Sequence, residues 1–310
     1  CTLYFTKIIM YAKILYNMGL LEFEEWTNQS LWSERSRVCS HLAGLTPGQR
    51  RVCRRHKDHM PAVGEGVKKG IEECQHQFKN RRWNCSVTEA FGPLTLIASR
   101  ETAFTHAITA AGVSLAVSRA CRDGRLASCG CSRAARPRHL HTDWFIWNFL
   151  VLMYHFCHQA VIKKSQVTCK CHGVSGSCSL ITCWQQVATI REIGDYLKDK
   201  YEVATEVRVS RRGKLRLPSP RALPTAQDLV YLEPSPDYCA PDATLGSPGT
   251  VGRECNRTSA GVDGCAVLCC GRGYRTKRVV VKERCGCKFH WCCRVDCNTC
   301  IRSIEVYSCK

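Results

Sequence analysis

Cysteine is the residue type that most constrains the fold of this chain. There are 25 cysteines among 310 residues, a density close to that of disulfide scaffolds. In a reducing compartment such cysteines would indicate metal or redox sites, whereas in an oxidising compartment they indicate disulfides. Three N-x-S/T sequons, at Asn28, Asn84 and Asn256, favour an oxidising compartment and therefore disulfides. We therefore predict a secreted, disulfide-bonded protein.

Four of the cysteines enclose a short, glycine-rich loop. They are Cys169, Cys171, Cys178 and Cys183. Nested pairing, the first with the fourth and the second with the third, would close a hairpin with Ser175 and Ser177 near its tip. The loop has few side chains that could pack against one another. We therefore expect it to present a group to a partner.

The charge balance is strongly basic. The chain has 45 Lys and Arg against 26 Asp and Glu, a formal net charge of +19. Such a surface attracts polyanions, which for a secreted chain are sulfated glycans rather than nucleic acid. The basic clusters are not interleaved with the aromatic residues that base stacking requires. Any single basic cluster is as compatible with an ordinary solvated surface as with a dedicated glycan site.

The apolar pattern predicts a helical part followed by a cystine-rich part. Helical spacing predicts helices over 60–78, 103–117 and 184–201, and alternation predicts a hairpin at 206–217. Short strands are expected at 279–281, 288–291 and 304–306. The fold class is therefore disulfide-rich α+β: a helical N-terminal domain with a protruding β-hairpin and a small C-terminal domain of β-hairpins.

These patterns define four segments of the chain. Residues 1–30 are an N-terminal extension of uncertain structure, and 31–217 form the helical domain. Residues 218–238 are rich in Pro, Ser and Asp, as expected of a linker. The last segment, 239–310, has too little apolar sequence for an ordinary core, so disulfides must hold it together.

Six longer motifs occur outside the cysteine loop. They are RRWNCS at 81–86, SRETAF at 99–104, CGCS at 129–132, SPDYC at 235–239, CCGRGY at 269–274 and CKFHWCC at 287–293. With the loop, these motifs make the chain resemble the Wnt family of secreted, lipid-modified signalling glycoproteins. The wording of 132–137 and 227–239 resembles the Wnt-five branch.

The resemblance implies a ligand for Frizzled receptors in developmental signalling, not an enzyme. Ser177 corresponds to the serine that an O-acyltransferase of the endoplasmic reticulum acylates with palmitoleate, on a hairpin (169–183) called the thumb. A second hairpin around 288–295, the index finger, joins it in gripping the cysteine-rich domain of Frizzled. Its expected receptor-binding residues are Phe289, Trp291, Cys292, Cys293 and Val295. No cofactor or metal is implied beyond the covalent lipid.

The same resemblance implies further partners and a location. A co-receptor, a Wnt export carrier and heparan sulfate proteoglycans are expected to bind the protein. It would reside in the extracellular space and matrix, attached to membranes through its lipid. Asn84 and Asn256 lie at sequons that the family glycosylates, whereas Asn28 has no such support.

The resemblance also implies a set of disulfides. Beside the nested pairs of the loop, Cys169–Cys183 and Cys171–Cys178, the expected pairs are Cys39–Cys53, Cys74–Cys85, Cys121–Cys129, Cys239–Cys270, Cys255–Cys265, Cys269–Cys309, Cys285–Cys300, Cys287–Cys297 and the adjacent pair Cys292–Cys293.

The resemblance fails between Trp144 and Ala160. Family members have several dozen residues there, including helix, where this chain has only the aberrant stretch 145–159. We interpret the stretch as an artefact of gene prediction, and we expect the helical core to be incomplete. Cys131 loses its family partner there, and Cys157 could replace it. The chain also begins at Cys1 rather than Met, which we interpret as an incomplete N-terminus.

Three other readings compete with this one. The first is a zinc protein, because Cys297 and Cys300 have zinc-ligand spacing and His290 is nearby. His172 with Ser175 or Ser177 could suggest a nucleophile and base, but the sequence lacks the G-x-S-x-G elbow. A polyanion-binding matrix protein would explain the charge but not the cysteine loop.

Overall fold

The computed structural model of the protein describes most of the chain and divides it into two compact units. The described residues are 39, 47–86, 98–126, 129, 160–209, 215–216, 225, 227–242 and 247–310. The first unit consists of Cys1–Lys79, Cys85–Pro236 and Thr244–Gly246, and the second of Asn80–Asn84, Asp237–Ala243 and Ser247–Lys310. The expected pair Cys131–Cys157, the aberrant stretch 145–159 and Asn28 lie outside the described residues.

The described residues of the first unit include four α-helices. They are α1 (Pro47–Arg55), α2 (Met60–Phe78), α3 (Arg100–Arg122) and α4 (Ile190–Glu202), with a 3₁₀ turn (Lys57–His59) before α2. The observed α2 has the predicted bounds, and α3 extends the prediction at both ends. Among the described residues, no helix has both the length and the apolar character that crossing a membrane would need.

Side-chain caps set the starts of α3 and α4. The hydroxyl of Ser99 accepts from the backbone N–H of Thr102. Thr189 and Glu192 form a reciprocal capping box, a motif that satisfies otherwise unpaired N–H groups at a helix start. The predicted helix 184–201 therefore begins too early: residues 181–186 form a strand, and α4 starts only after Thr189.

Glycines allow α2 and α3 to pack very closely. A methyl group on Gly112 would overlap the carbonyl oxygen of Gly66. One on Gly70 would lie 2.7 Å from the Cα of Thr109, well inside van der Waals contact. The two backbones therefore touch directly, an approach that only residues without a side chain permit.

Aromatic rings and buried carboxylates join α4 to this pair. The ring of Phe78 meets those of Phe104 and Tyr201 edge to face, at centroid distances of 4.8 and 4.9 Å. The hydroxyl of Tyr201 donates to the buried carboxylate of Glu101 (2.7 Å), and the hydroxyl of Ser235 donates to the same oxygen (2.9 Å). Glu101 also lies in the first turn of α3, where the helix dipole favours a negative charge.

Glu73 fixes the contact between α2 and α4. It accepts from Gln77 at 2.8 Å and pairs with Arg191 at 3.1 Å. Burial is the main effect on its carboxyl group and raises its pKa. Gly194 lies directly against it, since a methyl group there would be 2.5 Å from Oε1 of Glu73.

Short strands connect the helical unit to the segment predicted as a linker. β3 (Thr205–Glu206) pairs in parallel with β6 (Val230–Tyr231), and the N–H of Leu232 donates to the carbonyl of Ala98 (2.8 Å). The end of the predicted linker 218–238 therefore packs in the first unit, up to Pro236. The hairpin expected at 206–217 forms from β4 and β5, which are Arg208–Val209 and Leu215–Arg216.

The second unit is a long β-ribbon on a very small core. Its elements are β7 (Glu254–Cys255), α5 (Cys265–Leu268), β8 (Tyr274–His290) and β9 (Arg294–Cys309), with strand order β7-β9-β8. The buried core is Leu268 with three cysteines, and Tyr274 and Tyr307 pack against it. The strands predicted at 279–281, 288–291 and 304–306 are parts of this ribbon. Mixed helix and strand with dense disulfides confirms the predicted fold class.

Ten disulfides are present among the described cysteines. They are Cys39–Cys53, Cys74–Cys85, Cys121–Cys129, Cys169–Cys183, Cys171–Cys178, Cys239–Cys270, Cys255–Cys265, Cys269–Cys309, Cys285–Cys300 and Cys287–Cys297. Each bridge typically stabilises a fold by ~2–4 kcal/mol, less for short loops.

Replacing Gly112 with alanine should destabilise the first unit. The added methyl group meets the backbone of Gly66, which cannot move without separating the helices. We expect a loss of about 1–3 kcal/mol despite the better helix propensity of alanine, measured by chemical denaturation. Lys68→Ala, at an exposed position of α2, is the control and should be near neutral. Equal stability of Gly112→Ala and the parent would contradict the close packing.

Acid should destabilise the protein through His106. Burial lowers the pKa of this α3 histidine from 6.5 to about 4. Between these values the unfolded chain binds more protons than the folded chain, so the free energy of unfolding falls as the pH falls from 6.5 to 4. His106→Gln should flatten this dependence in denaturation curves recorded across the window. His172→Gln, in an exposed loop, should leave the slope as in the parent.

Candidate functional site

The cysteine loop is the end of a two-stranded hairpin. Strands β1 (Gln166–Cys171) and β2 (Ile181–Gln186) are antiparallel, with Cys169 opposite Cys183. The outer disulfide joins this facing pair, and the inner one joins Cys171 to Cys178 beyond the last strand pair. Both strands are largely exposed, so the disulfides, rather than a core, hold the hairpin together.

The hairpin tip is a tight 3₁₀ turn that presents Ser177. The turn spans Val174–Gly176, with Ser175 in the left-handed region at φ 55°. The N–H of Gly173 donates to the carbonyl of Ser177 (2.7 Å) and closes the turn. A methyl group on Gly173 would overlap the hydroxyl of Ser177. The hydroxyl therefore packs against Gly173, in the space that a side chain there would fill, while Ser177 itself is exposed.

Exposed apolar residues lie near Ser177 in the chain. Val174 is 89% exposed and Leu180 is 64% exposed, and Ile181 is also exposed. Sequence reasoning identified the serines but missed these neighbours. Their signal was present, since apolar residues inside a short, disulfide-closed loop cannot reach a core. An exposed serine with exposed apolar residues near it in the chain suits a lipidic reagent or partner.

The local geometry differs from that of a serine nucleophile. In α/β-hydrolases the nucleophile of the G-x-S-x-G motif sits on a sharp turn between a strand and a helix. Here the turn at 174–176 joins β1 to β2, two strands of one hairpin. The arrangement of His172 with Ser175 or Ser177 therefore lacks the structural context of that motif.

A second exposed tip ends the long ribbon of the C-terminal unit. The last pairs of β8 and β9 are Phe289 with Val295 and His290 with Arg294. Trp291 follows in the turn and is 92% exposed, while Phe289 is 70% exposed. The structure thus places the predicted receptor-binding side chains Phe289, Trp291 and Val295 together at one end of the ribbon.

The adjacent cysteines of this tip differ from the expectation. Cys292 and Cys293 are exposed free thiols, not the predicted adjacent disulfide. Their φ angles are 70° and 80°, both in the left-handed region. The ring that joins neighbouring cysteines is strained, and two successive left-handed residues make the tight turn without it. The expected Cys292–Cys293 bond is therefore corrected to a pair of thiols in this structure.

Two disulfides stiffen the ribbon below this tip. Cys285–Cys300 and Cys287–Cys297 join β8 to β9 at the bulge that lies between Cys285 and Lys288. Because Cys297 and Cys300 are both in disulfides, neither offers the thiolate that zinc binding requires. Among the described residues, a further close group of sulfurs is that of Cys255, Cys269 and Cys309, and these too are in disulfides.

The two sequons within the described residues have different surroundings. Asn256 is exposed, and its side-chain oxygen accepts from both the N–H (3.1 Å) and the hydroxyl (3.0 Å) of Thr258. Asn84 is half-buried beside Trp83, whose ring lies 6.3 Å from that of Tyr238. The sequon at Asn256 is therefore the more accessible in the folded protein.

Comparison with known proteins gives one consistent family. The sequence model of the wnt family matches residues 41–159 and 151–310. Human Wnt-5b is 49% identical over 314 residues, which cover 88% of this chain and 87% of that protein. Rat Wnt-5a is 45% identical over 346 residues, which cover 99% of this chain and 91% of that protein.

A solved structure gives the same result for the fold. A chain in the structure of human WLS in complex with WNT8A is 35% identical, with a TM-score of 0.61. The match covers 81% of this chain and 94% of that one.

The comparisons also mark the interruption seen in the sequence. The family model matches the chain in two stretches that overlap at 151–159. The alignment with human Wnt-5b is 314 positions long although it uses 88% of a 310-residue chain, so some of its positions have no counterpart here. The family model matches residues 41–310, and Wnt-5b and Wnt-5a are among the similar proteins. This chain belongs to the Wnt family of secreted signalling ligands.

Proposed function

We propose that this Wnt ligand carries palmitoleate on Ser177 and binds the cysteine-rich domain of Frizzled receptors. The thumb, residues 169–183, would bring the lipid. The finger, the hairpin around residues 288–295, would contribute a second contact. The observation that carries the proposal is the exposed Ser177, packed against Gly173, at the tip of a doubly bridged hairpin.

The acyl chain would dominate the energy of binding. A buried methylene contributes ~0.8 kcal/mol, so a palmitoleoyl chain contributes on the order of 10 kcal/mol before entropy costs. Exposed Val174 and Leu180 would extend this apolar contact onto protein. The disulfides reduce the conformational freedom that the thumb loses on binding, which lowers the cost of association.

The finger has the features of a contact hot spot. Trp291 is a large, amphipathic side chain that protrudes from a tight turn, and such residues often anchor interfaces. Phe289 and Val295 face each other across the last strand pairs and would form an apolar contact beside it. The cross-strand disulfides keep this arrangement rigid before binding.

Other partners follow from the same proposal. A similar chain is bound to WLS in a solved structure, which supports an export carrier as a partner that shields the lipid from water. The membrane O-acyltransferase would act on Ser177, and a co-receptor would complete the signalling complex. The net charge of +19 supports attraction to heparan sulfate proteoglycans. We also infer glycosylation at Asn84 and Asn256, and no catalytic role.

Lipid attachment can be tested directly by intact-mass analysis. The protein secreted from animal cells that express the acyltransferase should carry one C16:1 adduct. Ser177→Ala should abolish it, because that change removes the acceptor hydroxyl. Ser179→Ala, at a neighbouring exposed position, should retain it. An adduct that persists in Ser177→Ala, or an unmodified parent that still signals, would refute the proposed mechanism.

The finger can be tested by receptor affinity. Trp291→Ala should weaken binding to the Frizzled cysteine-rich domain by about 2 kcal/mol or more, as expected of a hot-spot tryptophan. Val280→Ala removes a side chain exposed on the same ribbon and should bind as the parent does. Surface plasmon resonance with acylated proteins gives both values. Equal loss in the two variants would argue for a general effect on the ribbon.

A further inference from the structure

We propose that the arginine face of α1, defined as Arg50, Arg51, Arg54 and Arg55, is the site at which this protein binds a sulfated glycan chain. The proposal rests on the proposed function in one respect, since heparan sulfate is there a partner supported only by the net charge of the whole chain. It goes further because it assigns the contact to one helix of the first unit.

The four arginines lie together on one side of α1. At about 100° per residue they occupy about 140° of the helix circumference and about 7.5 Å of its axis. Arg51, Arg54 and Arg55 are exposed, and Arg50 is half-buried. Lys57 follows in the 3₁₀ turn and is also exposed. The helix and the turn after it thus present a continuous row of cationic groups to solvent.

No nearby carboxylate offsets this charge. The sequence has no Asp or Glu between Glu34 and Asp58, and Oδ1 of Asp58 lies 2.8 Å from Nδ1 of His59. Within the described part of the chain, none of the four arginines is in an ion pair. Their guanidinium groups therefore remain available to an external anion.

The basic side chains of the long ribbon are arranged differently. Arg278 lies 3.4 Å from Glu305, and Arg302 lies 3.4 Å from Glu283. Neighbouring residues such as Lys277 and Arg278 point to opposite faces, because side chains alternate along a strand. The ribbon therefore divides its positive charge between two faces and neutralises part of it, whereas α1 concentrates its charge on one side.

The charge pattern of α1 does not stabilise the helix. Two pairs of arginines lie four residues apart, and like charges at this spacing destabilise a helix. The two arginines in the last turn complement the helix dipole, but that effect does not require the other two. With 9 residues, α1 is too short to be stable alone, and the buried disulfide Cys39–Cys53 attaches it. A pattern that the fold tolerates without needing it indicates a role in binding.

The chemistry of the site favours a sulfated polysaccharide. The planar guanidinium group suits tetrahedral oxyanions, with which it forms paired hydrogen bonds. A sulfated glycan carries such groups in a row, so one chain can contact several arginines along the helix axis. The side chains described between residues 50 and 59 include no large, exposed apolar group, which binding to a membrane interface would need. The anionic lipids of the plasma membrane also face the cytoplasm.

The experiment measures the binding of a heparin oligosaccharide to the full-length chain in the Ser177→Ala background, so that no acyl chain contributes. The triple change Arg51→Ala, Arg54→Ala and Arg55→Ala should weaken binding at least tenfold. It should also lower the slope of log affinity against log salt by about 2–3, since each ion pair with a polyanion releases condensed counterions. The corresponding triple change to lysine keeps the charge and should stay within about threefold of the background protein.

A matched control removes the same charge elsewhere. Arg275→Ala, Lys277→Ala and Lys282→Ala together remove three exposed basic side chains of β8, and this variant should lose less than about threefold in affinity. Chemical denaturation tests whether the α1 variant is folded. It should be at least as stable as the background protein, because alanine favours the helix and the repulsion between arginines is removed.

Three results would overturn the proposal. The first is an unchanged affinity of the α1 alanine variant. The second is an equal loss in the β8 variant, which would assign the binding to net charge. The third is equal binding of fully desulfated heparin. Absence of the acyl chain on Ser177 in the parent would refute the proposed function but would leave this measurement unaffected.

Discussion

Cross-strand disulfides take the place of a hydrophobic core in the two hairpins through which we propose that this protein binds partners. The thumb and the finger are two-stranded ribbons with both faces largely exposed, and an isolated ribbon of this kind is marginally stable in water. Each has two disulfides close to its tip. Covalent bonds thus permit apolar side chains such as Val174 and Trp291 to face outward without loss of the fold.

The helices of the first unit, in contrast, pack around a hydrophobic core. This core is ordinary in composition, with Phe78, Phe104 and Tyr201 at its centre, but the helices approach unusually closely. Gly66, Gly70 and Gly112 permit this approach, and Gly194 permits the contact of α4 with Glu73. These positions tolerate no side chain, so the base that holds the thumb depends on four residues that contribute no side-chain contacts.

Patterns within one element were predictable from sequence, whereas contacts between elements were not. Helical periodicity predicted the bounds of α2, and the spacing of four cysteines predicted a nested hairpin. The start of α4 was missed because Trp184 and Val187 fit both a helix and the end of a strand. The glycine contacts were missed because one sequence does not reveal which helix faces pack together. The bond Cys292–Cys293 was predicted because the prediction did not consider that two left-handed residues can form the same turn.

The spacing of the disulfides has a consequence for the order of assembly. The thumb bonds join residues 7 and 14 positions apart, whereas Cys269–Cys309 joins residues 40 apart and needs a cysteine at the end of β9, far beyond the thumb. Short loops close at a lower entropic cost than long ones. The thumb can therefore be completed during synthesis, before the C-terminal unit exists. The acyltransferase would then meet a finished hairpin on an unfinished protein.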